Sequence, residues 1–241
     1  MDNKRTENQR EENVTTAYLV KISLLAAVVV LMAFTPLGYL KVGALSITFL
    51  VVPVTVGSIV LGPFGGMILG AIFGITSFVQ CFGLDPFGTT LFSINPISTF
   101  IVCIPTRMLM GLLAGLVFKA MSDSGKKGVR IASVFVTSVL GPLFNTIFFM
   151  TAFCLCFYNT EYVQGFVTAL GAANPFTFVL LFVGVNGAVE IVVNFIVCSA
   201  ASKAILAAES RSAANGYMKS KNKISWKENK DKDKDKDSKK Q

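Results

Sequence analysis

Long apolar stretches alternate with short segments rich in proline, glycine or charge between about residues 14 and 206. A helix crosses the hydrocarbon core of a bilayer with about 20 predominantly apolar residues. Six stretches reach or approach that length, at about residues 14–34, 46–61, 64–79, 97–121, 129–158 and 175–206. The pattern therefore predicts an all-α integral membrane protein with six transmembrane helices.

The interruptions predict the connections and the domain limits. Gly62 and Pro63 favour a tight turn between spans two and three. Residues 80–95 and 159–174 carry turn-forming residues and predict irregular loops. We predict a polar cytoplasmic N-terminal segment at 1–13, a six-helix membrane domain at 14–207 and a disordered basic cytoplasmic tail at 208–241.

Lysine and arginine are unevenly placed around the predicted spans. Such residues accumulate on the cytoplasmic side of membrane proteins. With six spans these residues fall on the side of both termini. This predicts cytoplasmic termini, outward-facing loops at Leu37, at 80–95 and at 159–174, and a multi-pass protein of the cell membrane. The residues concerned are Lys4, Arg5, Arg10, Lys119, Lys126, Lys127, Arg130, Lys203 and Arg211.

Composition removes nucleic acid from the expected partners. Over half of the residues are apolar (53%) and 15% are charged, with a net charge of +8. Beyond Ala208 there are eleven cations and six acids, so this tail supplies +5 of the +8. A basic segment after a last apolar span is typical of a cytoplasmic extension near anionic lipid. The lipid bilayer is therefore an expected partner.

The chain lacks the residue patterns of common enzymes and metal sites. It has no histidine, and its five cysteines are scattered through apolar runs without C-x-x-C spacing. It has neither a G-x-S-x-G motif nor a glycine-rich phosphate loop followed by lysine. We predict a protein that is not an enzyme and that has no metal and no cofactor.

Arg107 and Glu190 are charged residues deep inside predicted spans. A charge near the bilayer centre is unfavourable by at least about 2.5 to 3.5 kcal/mol, so it normally faces the protein interior and finds a partner there. At about 1.5 Å per residue, Arg107, Asn145 and Asn186 lie at a similar depth, roughly 15 to 20 Å from the outer ends of their spans. Asn186, Glu190 and Asn194 share one helix face because they are four residues apart.

Two interpretations of this group stay open. In the first, Arg107 binds a carboxylate in an outward-facing pocket, while Asn145, Asn186 and Glu190 complete its polar wall. In the second, Arg107 and Glu190 form a buried ion pair that fixes helix register. Because Glu190 can titrate, an ion-coupled carrier is the rival function class.

The loop at 80–95 provides further candidates. Thr89, Phe92 and Asn95 offer hydroxyl, aromatic and amide groups beside the predicted pocket mouth. Irregular backbone at membrane depth is tolerated where it is buried in protein or lines a cavity. The loop is predicted to be either a lid over the pocket or an ordinary exposed connector.

Glycines recur at four-residue intervals in spans three and four. The spacing places them on one helix face, which allows close backbone packing. They indicate either a packing groove inside the bundle or a docking surface for a partner protein. The residues are Gly66, Gly70 and Gly74 in span three and Gly111 and Gly115 in span four.

Three segments resemble the substrate-binding S components of energy-coupling factor (ECF) vitamin transporters, in particular the pantothenate-type branch. They are PVTVGSIVLGPFGGMILGAIFGITSF at 53–78, PTRMLMGLLAGLVFK at 105–119 and NGAVE at 186–190. The likeness spans about residues 17–206.

The resemblance implies a six-helix subunit that captures a small-molecule vitamin from outside. It also implies partners: a coupling transmembrane subunit and two ATPase subunits. In that family small residues on the first helix contact the coupling protein, and Ser23 to Ala27 is the nearest match, with serine in place of the usual first alanine. Pantothenate, a small carboxylate with an amide and hydroxyls, suits one arginine with asparagines; another vitamin or an organic acid stays open.

Overall fold

Helices occupy the apolar stretches of the chain, because a helix satisfies all its backbone polar groups within one segment. The computed structural model describes residues 2–42, 45–123, 127–184, 192–204 and 207. The elements in these ranges are α1 (Asp2–Ala33), β1 (Tyr39–Val42), β2 (Leu45–Thr48), α2 (Val51–Gln80), α3 (Pro86–Ile94), α4 (Pro96–Ser122), α5 (Lys127–Phe157), α6 (Glu161–Ala169), α7 (Pro175–Gly184) and α8 (Val192–Ala204).

Four of the described helices are long and apolar enough to cross a membrane. They are α2, α4 and the segments Thr16–Ala33 of α1 and Gly128–Phe157 of α5, while α7 and α8 are shorter apolar helices. The predicted spans at 97–121 and 129–158 correspond closely to α4 and α5. The fold is thus a mainly helical membrane bundle, and the count of six spans stays a prediction.

The helix α2 consists of two arms that fold back on each other at Gly62. This residue has φ 81° and ψ −173°, which is not helical. A Cβ on Gly57 would clash with Leu69, and one on Gly66 would clash with Ser58. In a straight helix residues 57 and 69 would be about 18 Å apart. The contacts therefore require antiparallel arms, in agreement with the turn predicted at Gly62-Pro63.

A two-stranded β-hairpin is the exception to the predicted all-helical fold. Strands β1 and β2 pair antiparallel, with Tyr39 opposite Thr48. The prediction that span two starts at residue 46 is wrong, because β2 takes up residues 45–48 and the helix begins at Val51. The backbone bond from Phe49 N to Gly38 O, at 2.9 Å, closes the base of the hairpin.

The base of the hairpin lies below the far end of the span that α2 forms. The arm at 51–61 is about 16 Å long and the arm at 63–80 about 27 Å, and both leave the same turn at Gly62. The base of the hairpin, where it joins the short arm, therefore lies about 10 Å below the end of the long one. That end is fixed to α1, because Gln80 Nε2 donates to the carbonyl of Ala33. Non-helical backbone at this depth is typical of segments that line a cavity or are buried in protein.

Both predicted irregular loops contain a short helix, so these loop predictions are wrong in part. Asp85 caps α3 by accepting from Gly88 N at 2.8 Å, and Pro86 occupies the first turn, where a missing N–H is harmless. Thr160 caps α6 by accepting from Val163 N at 3.4 Å. We call the end of the bundle that carries α3 and α6 the outer end.

The glycines of α2 and α4 pack against each other inside the bundle. A Cβ on Gly70 would clash with the carbonyl oxygen of Arg107, and a Cβ on Gly111 would clash with the carbonyl of Gly66. The two helix backbones thus touch directly along this stripe. Of the two interpretations of the glycine spacing, the packing groove is confirmed.

The remaining domain predictions lie largely beyond the described part of the chain. Residues Met1–Ser202 form one compact unit and Lys203–Gln241 a second one, of which residues 203, 204 and 207 are described. The predicted tail at 208–241 and the stretch 185–191 of the sixth span lie outside the described residues. Cytoplasmic termini stay a prediction.

Candidate functional site

Arg107 is buried in the middle of α4 and its side chain turns toward the outer end. Only 9% of its surface is exposed. Its Nη1 donates to the carbonyls of Val102 at 2.8 Å and Cys103 at 3.1 Å, and lies 3.3 Å from Thr106 Oγ1. The local sequence thus provides oxygen acceptors for part of a buried cation.

Two phenylalanine rings flank the guanidinium. Its Cζ lies 5.0 Å from the ring centre of Phe73 on α2 and 5.1 Å from that of Phe149 on α5. A cation over an aromatic face is attracted by the ring quadrupole, most strongly where water is excluded. The arrangement holds the guanidinium between α2 and α5 without neutralising its charge.

The charge of Arg107 lacks a carboxylate partner among the described residues. Its Nε is buried and donates to no acceptor in that part of the chain, and its hydrogen bonds go to neutral oxygens. A buried ion without a counter-charge is costly by several kcal/mol or so. An anion with two oxygens matches the planar fork of donors that a guanidinium presents.

Asn145 faces the same region from α5. It lies four residues before Phe149, and residues at this spacing share a helix face. The side chain is 7% exposed, and its Oδ1 has no hydrogen-bond partner among the described residues. Buried amide oxygens normally have a partner. We call Arg107, Phe73, Phe149 and Asn145 the Arg107 cluster; it combines a cation, an amide and two aromatic faces.

Aromatic rings extend from the Arg107 cluster to the outer end. Phe149 stacks on Phe153 with 6.1 Å between ring centres, and Phe153 stacks on Phe182 at the same distance. Phe87 of α3 lies 6.2 Å from Phe182. This aromatic roof consists of Phe87, Phe153, Phe157, Tyr162, Phe166, Phe178 and Phe182. These rings give the region between the Arg107 cluster and the outer end apolar surroundings, in which electrostatic interactions are stronger than in water.

The predicted polar face of the sixth span is described only in part. Asn186 and Glu190 lie outside the described residues, so the pairing of Arg107 with Glu190 stays a prediction. Asn194 is fully buried, and its Nδ2 donates to the carbonyl of Thr48 at 3.4 Å. Of the predicted polar stripe, Asn194 thus lies in the described part of the chain and faces the protein interior.

The three residues predicted from the loop at 80–95 have local partners in the fold. Thr89 Oγ1 donates to the carbonyl of Asp85 at 2.8 Å, and exposed Asn95 caps α4 by accepting from Ser98 N at 3.1 Å. Phe92 packs on Phe82, with 4.7 Å between ring centres. The inward face of α3 carries Phe87 instead.

Sequence reasoning missed the aromatic residues beside Arg107 and the hairpin residue Tyr39. The Tyr39 hydroxyl lies 3.4 Å from Ser77 Oγ, and Ser77 follows Phe73 by one helical turn. A phenylalanine four residues after Asn145 was the available signal for Phe149. For Tyr39 the sequence contains no comparable signal.

The chain matches the profile of the family described as ECF transporter, substrate-specific component, over residues 17–201. The match includes every element from most of α1 to most of α8.

A curated protein shows a more distant likeness. It is 28% identical over 141 residues, which cover 56% of this chain and 67% of the other protein. Its name is pantothenate transporter PanT, and its source is Leuconostoc mesenteroides subsp. mesenteroides.

Proposed function

Because the chain belongs to the family of ECF transporter substrate-specific components, we propose that its Arg107 cluster captures a small carboxylic acid, with pantothenate as the substrate. Membership of this family makes the chain a multi-pass membrane subunit of a transporter rather than an enzyme. The substrate and the residues that bind it are our proposal.

The single observation that carries the proposal is the buried guanidinium of Arg107 without a carboxylate among the described residues. Burial of a charge is unfavourable unless a partner compensates for it. A ligand carboxylate supplies the missing charge and two acceptor oxygens. The flanking rings of Phe73 and Phe149 provide apolar surroundings, in which such a charge pair is stronger than in water.

Pantothenate supplies groups that match the rest of the cluster. Its carboxylate suits Arg107, and its amide N–H suits the buried Oδ1 of Asn145. The name of the relative from Leuconostoc points to the same vitamin. Asn186 and Glu190 are proposed to complete the polar wall, and Thr89, Phe92 and Asn95 remain proposed residues at its outer edge.

Transport is proposed to need further subunits. The family implies a coupling transmembrane protein and two ATPase subunits, which would supply the energy that this chain has no motif to obtain. The proposed task of this chain is high-affinity capture from the outside and delivery to that module. The bilayer is its surrounding partner.

The proposal is tested by substrate binding to the purified protein. We expect the wild-type chain to bind pantothenate and Arg107→Ala to lose about 100-fold or more in affinity, because truncating one member of a buried charge pair costs about 3 kcal/mol. Isothermal titration calorimetry measures this loss. Exposed Arg130 on α5 is the matched control, and Arg130→Ala should bind like the wild type.

Two results would contradict the proposal. If Arg107→Ala binds pantothenate with unchanged affinity and melts at a lower temperature, Arg107 is a structural residue paired within the protein. If the chain alone concentrates pantothenate in liposomes with an ion gradient and no ATPase, it is an ion-coupled carrier. Mass spectrometry of co-purified small molecules would show whether the bound substrate is another vitamin or an organic acid instead of pantothenate.

A further inference from the structure

Tyr39 belongs to the hairpin and lies close to the Arg107 cluster. Its ring packs against the core that contains Phe73. The guanidinium of Arg107 lies 5.0 Å from the ring centre of the same Phe73. Burial raises the pKa of Tyr39, and the charge of Arg107 is among the influences that lower it. Tyr39 is therefore a neighbour of the proposed carboxylate site on a different element from every residue of that cluster.

Ser77 holds the Tyr39 hydroxyl from α2. The side chain of Ser77 is buried, and the two hydroxyl oxygens are 3.4 Å apart. Hydroxyl pairs usually approach to about 2.7 to 2.8 Å, so this contact is long. Each hydroxyl can donate once and accept twice, so the pair has unused capacity for a third group.

We propose that Tyr39 and Ser77 are specificity-determining residues that hydrogen-bond a hydroxyl group of the substrate whose carboxylate lies on Arg107. This inference rests on the proposed function. It adds a second polar contact, which Tyr39 of β1 and Ser77 of α2 provide. The pair lies next to a buried cation but carries no charge itself. It is therefore suited to a neutral polar group of the substrate.

Such a pair provides selectivity because Ser77 is buried and Tyr39 is half-buried. A site built to hydrogen-bond a substrate hydroxyl rejects an analogue without it, because the buried groups of the protein are then left unpaired. The pair thus favours hydroxylated acids over aliphatic acids of the same length. Arg107 alone makes no such distinction, since both kinds of acid carry the carboxylate.

The test compares pantothenate with N-(3,3-dimethylbutanoyl)-β-alanine, which keeps the carboxylate, amide and carbon skeleton but lacks both hydroxyls. We expect the wild-type protein to prefer pantothenate. In Tyr39→Phe the affinity for pantothenate should fall about tenfold, the usual size for one buried hydrogen bond. The affinity for the analogue should change less than about twofold, because the analogue has no hydroxyl and forms no such bond even with the wild type.

Ser77→Ala should reduce the same preference. Two control substitutions remove hydroxyls elsewhere: Tyr18→Phe near Gly65, at the turn end of the α2 arms, and Ser93→Ala on the exposed side of α3. Both should leave the preference intact. Melting temperatures of all variants, measured without ligand, show whether each one is folded.

The outcomes separate this inference from the proposed function. If Arg107→Ala weakens both ligands while Tyr39→Phe keeps the full preference for pantothenate, the hydroxyl contact is overturned and the carboxylate site stands. A wild-type protein that binds both ligands equally also overturns it. If Arg107→Ala binds both as the wild type does, the proposed site fails and this inference fails with it.

Discussion

Gly70 of α2 lies directly against the backbone carbonyl of Arg107 of α4, with no room for a side chain between them. The contact links the α2–α4 packing stripe to the site, because the same residue of α4 provides both the packed carbonyl and the guanidinium. Small residues permit such close approach of helix backbones in membranes. The position of the cation therefore depends on a glycine that does not touch it.

We predict that Gly70→Ala weakens both folding and ligand binding. The added methyl group must displace α4 at the residue that carries the guanidinium, and overpacking of this kind costs about 1 to 3 kcal/mol. The melting temperature in detergent and the affinity for pantothenate should both fall. Gly165→Ala in α6 is the control, because that glycine is exposed with nothing within 4 Å of an added Cβ. Its stability should be equal or slightly higher.

A Gly70→Ala protein that melts lower but binds with wild-type affinity would show that α4 shifts without moving the guanidinium. A variant unchanged in both properties would contradict the close packing itself. Measuring both quantities on the same samples separates the two results.

Helix positions were predictable where length and hydrophobicity alone decide them. The spans at 97–121 and 129–158 fall within two residues of α4 and α5, since about 27 to 31 residues of apolar sequence have few alternatives in a bilayer. Short helices were harder. Asp85-Pro86 and Thr160 are ordinary helix-start signals, but they stand in segments whose turn residues indicated loops.

The hairpin shows a different limit. Residues 45–50 are mostly apolar and continue into the apolar sequence of α2, so periodicity does not distinguish a strand from a helix there. In the site, the cost of burying a charge identified Arg107, and depth identified Asn145. The ring of Phe73 was not predictable, because a phenylalanine on a membrane helix faces lipid as readily as protein. Phe149 was missed although its four-residue spacing from Asn145 was a usable signal.

We predict that Gly62→Ala destabilises the fold through backbone strain alone. A Cβ at this position has nothing within 4 Å, but the residue has φ 81° and ψ −173°, which side-chain-bearing residues rarely adopt. The cost should be about 1 to 3 kcal/mol. Gly128→Ala, at an equally open glycine near the start of α5, lacks that backbone requirement. Equal melting temperatures for the two variants would contradict the turn geometry at Gly62.

We predict that the hydroxyl of Tyr39 stays protonated above pH 10. Burial raises the pKa of Tyr39 above its usual value of 10.0, while the bond to Ser77 and the charge of Arg107 lower it and Cys103 and Asp85 raise it. Between the unfolded and folded pKa values the folded chain binds the extra proton, so stability falls as the pH rises above about 10.

The tyrosinate absorbance of the wild type minus that of Tyr39→Phe isolates this residue. Its midpoint should lie above pH 10, and melting temperatures should fall more steeply with pH in the wild type than in the variant. A difference spectrum with a midpoint near 10 would mean that the hydroxyl is open to water, and a midpoint below 10 would mean that the charge of Arg107 outweighs the effect of burial on the pKa of Tyr39.

The outward face of α1 gives a prediction about coupling to the partner module. Ser23 and Ala27 are both exposed and four residues apart, so they share one face, together with Leu24 and Leu31, which are 66% exposed each. Small side chains let another helix approach closely, and Ala27→Trp should block that approach. We expect uptake by cells that contain the partner subunits to fall at least about tenfold. Binding of pantothenate to the purified variant should not change, because Ala27 faces away from the site.

Leu155→Trp on α5, at a side chain that is 82% exposed, is the matched control and should leave uptake intact. Normal uptake by Ala27→Trp would place the docking surface on another face of the bundle, and loss of binding would show that the substitution damages the fold.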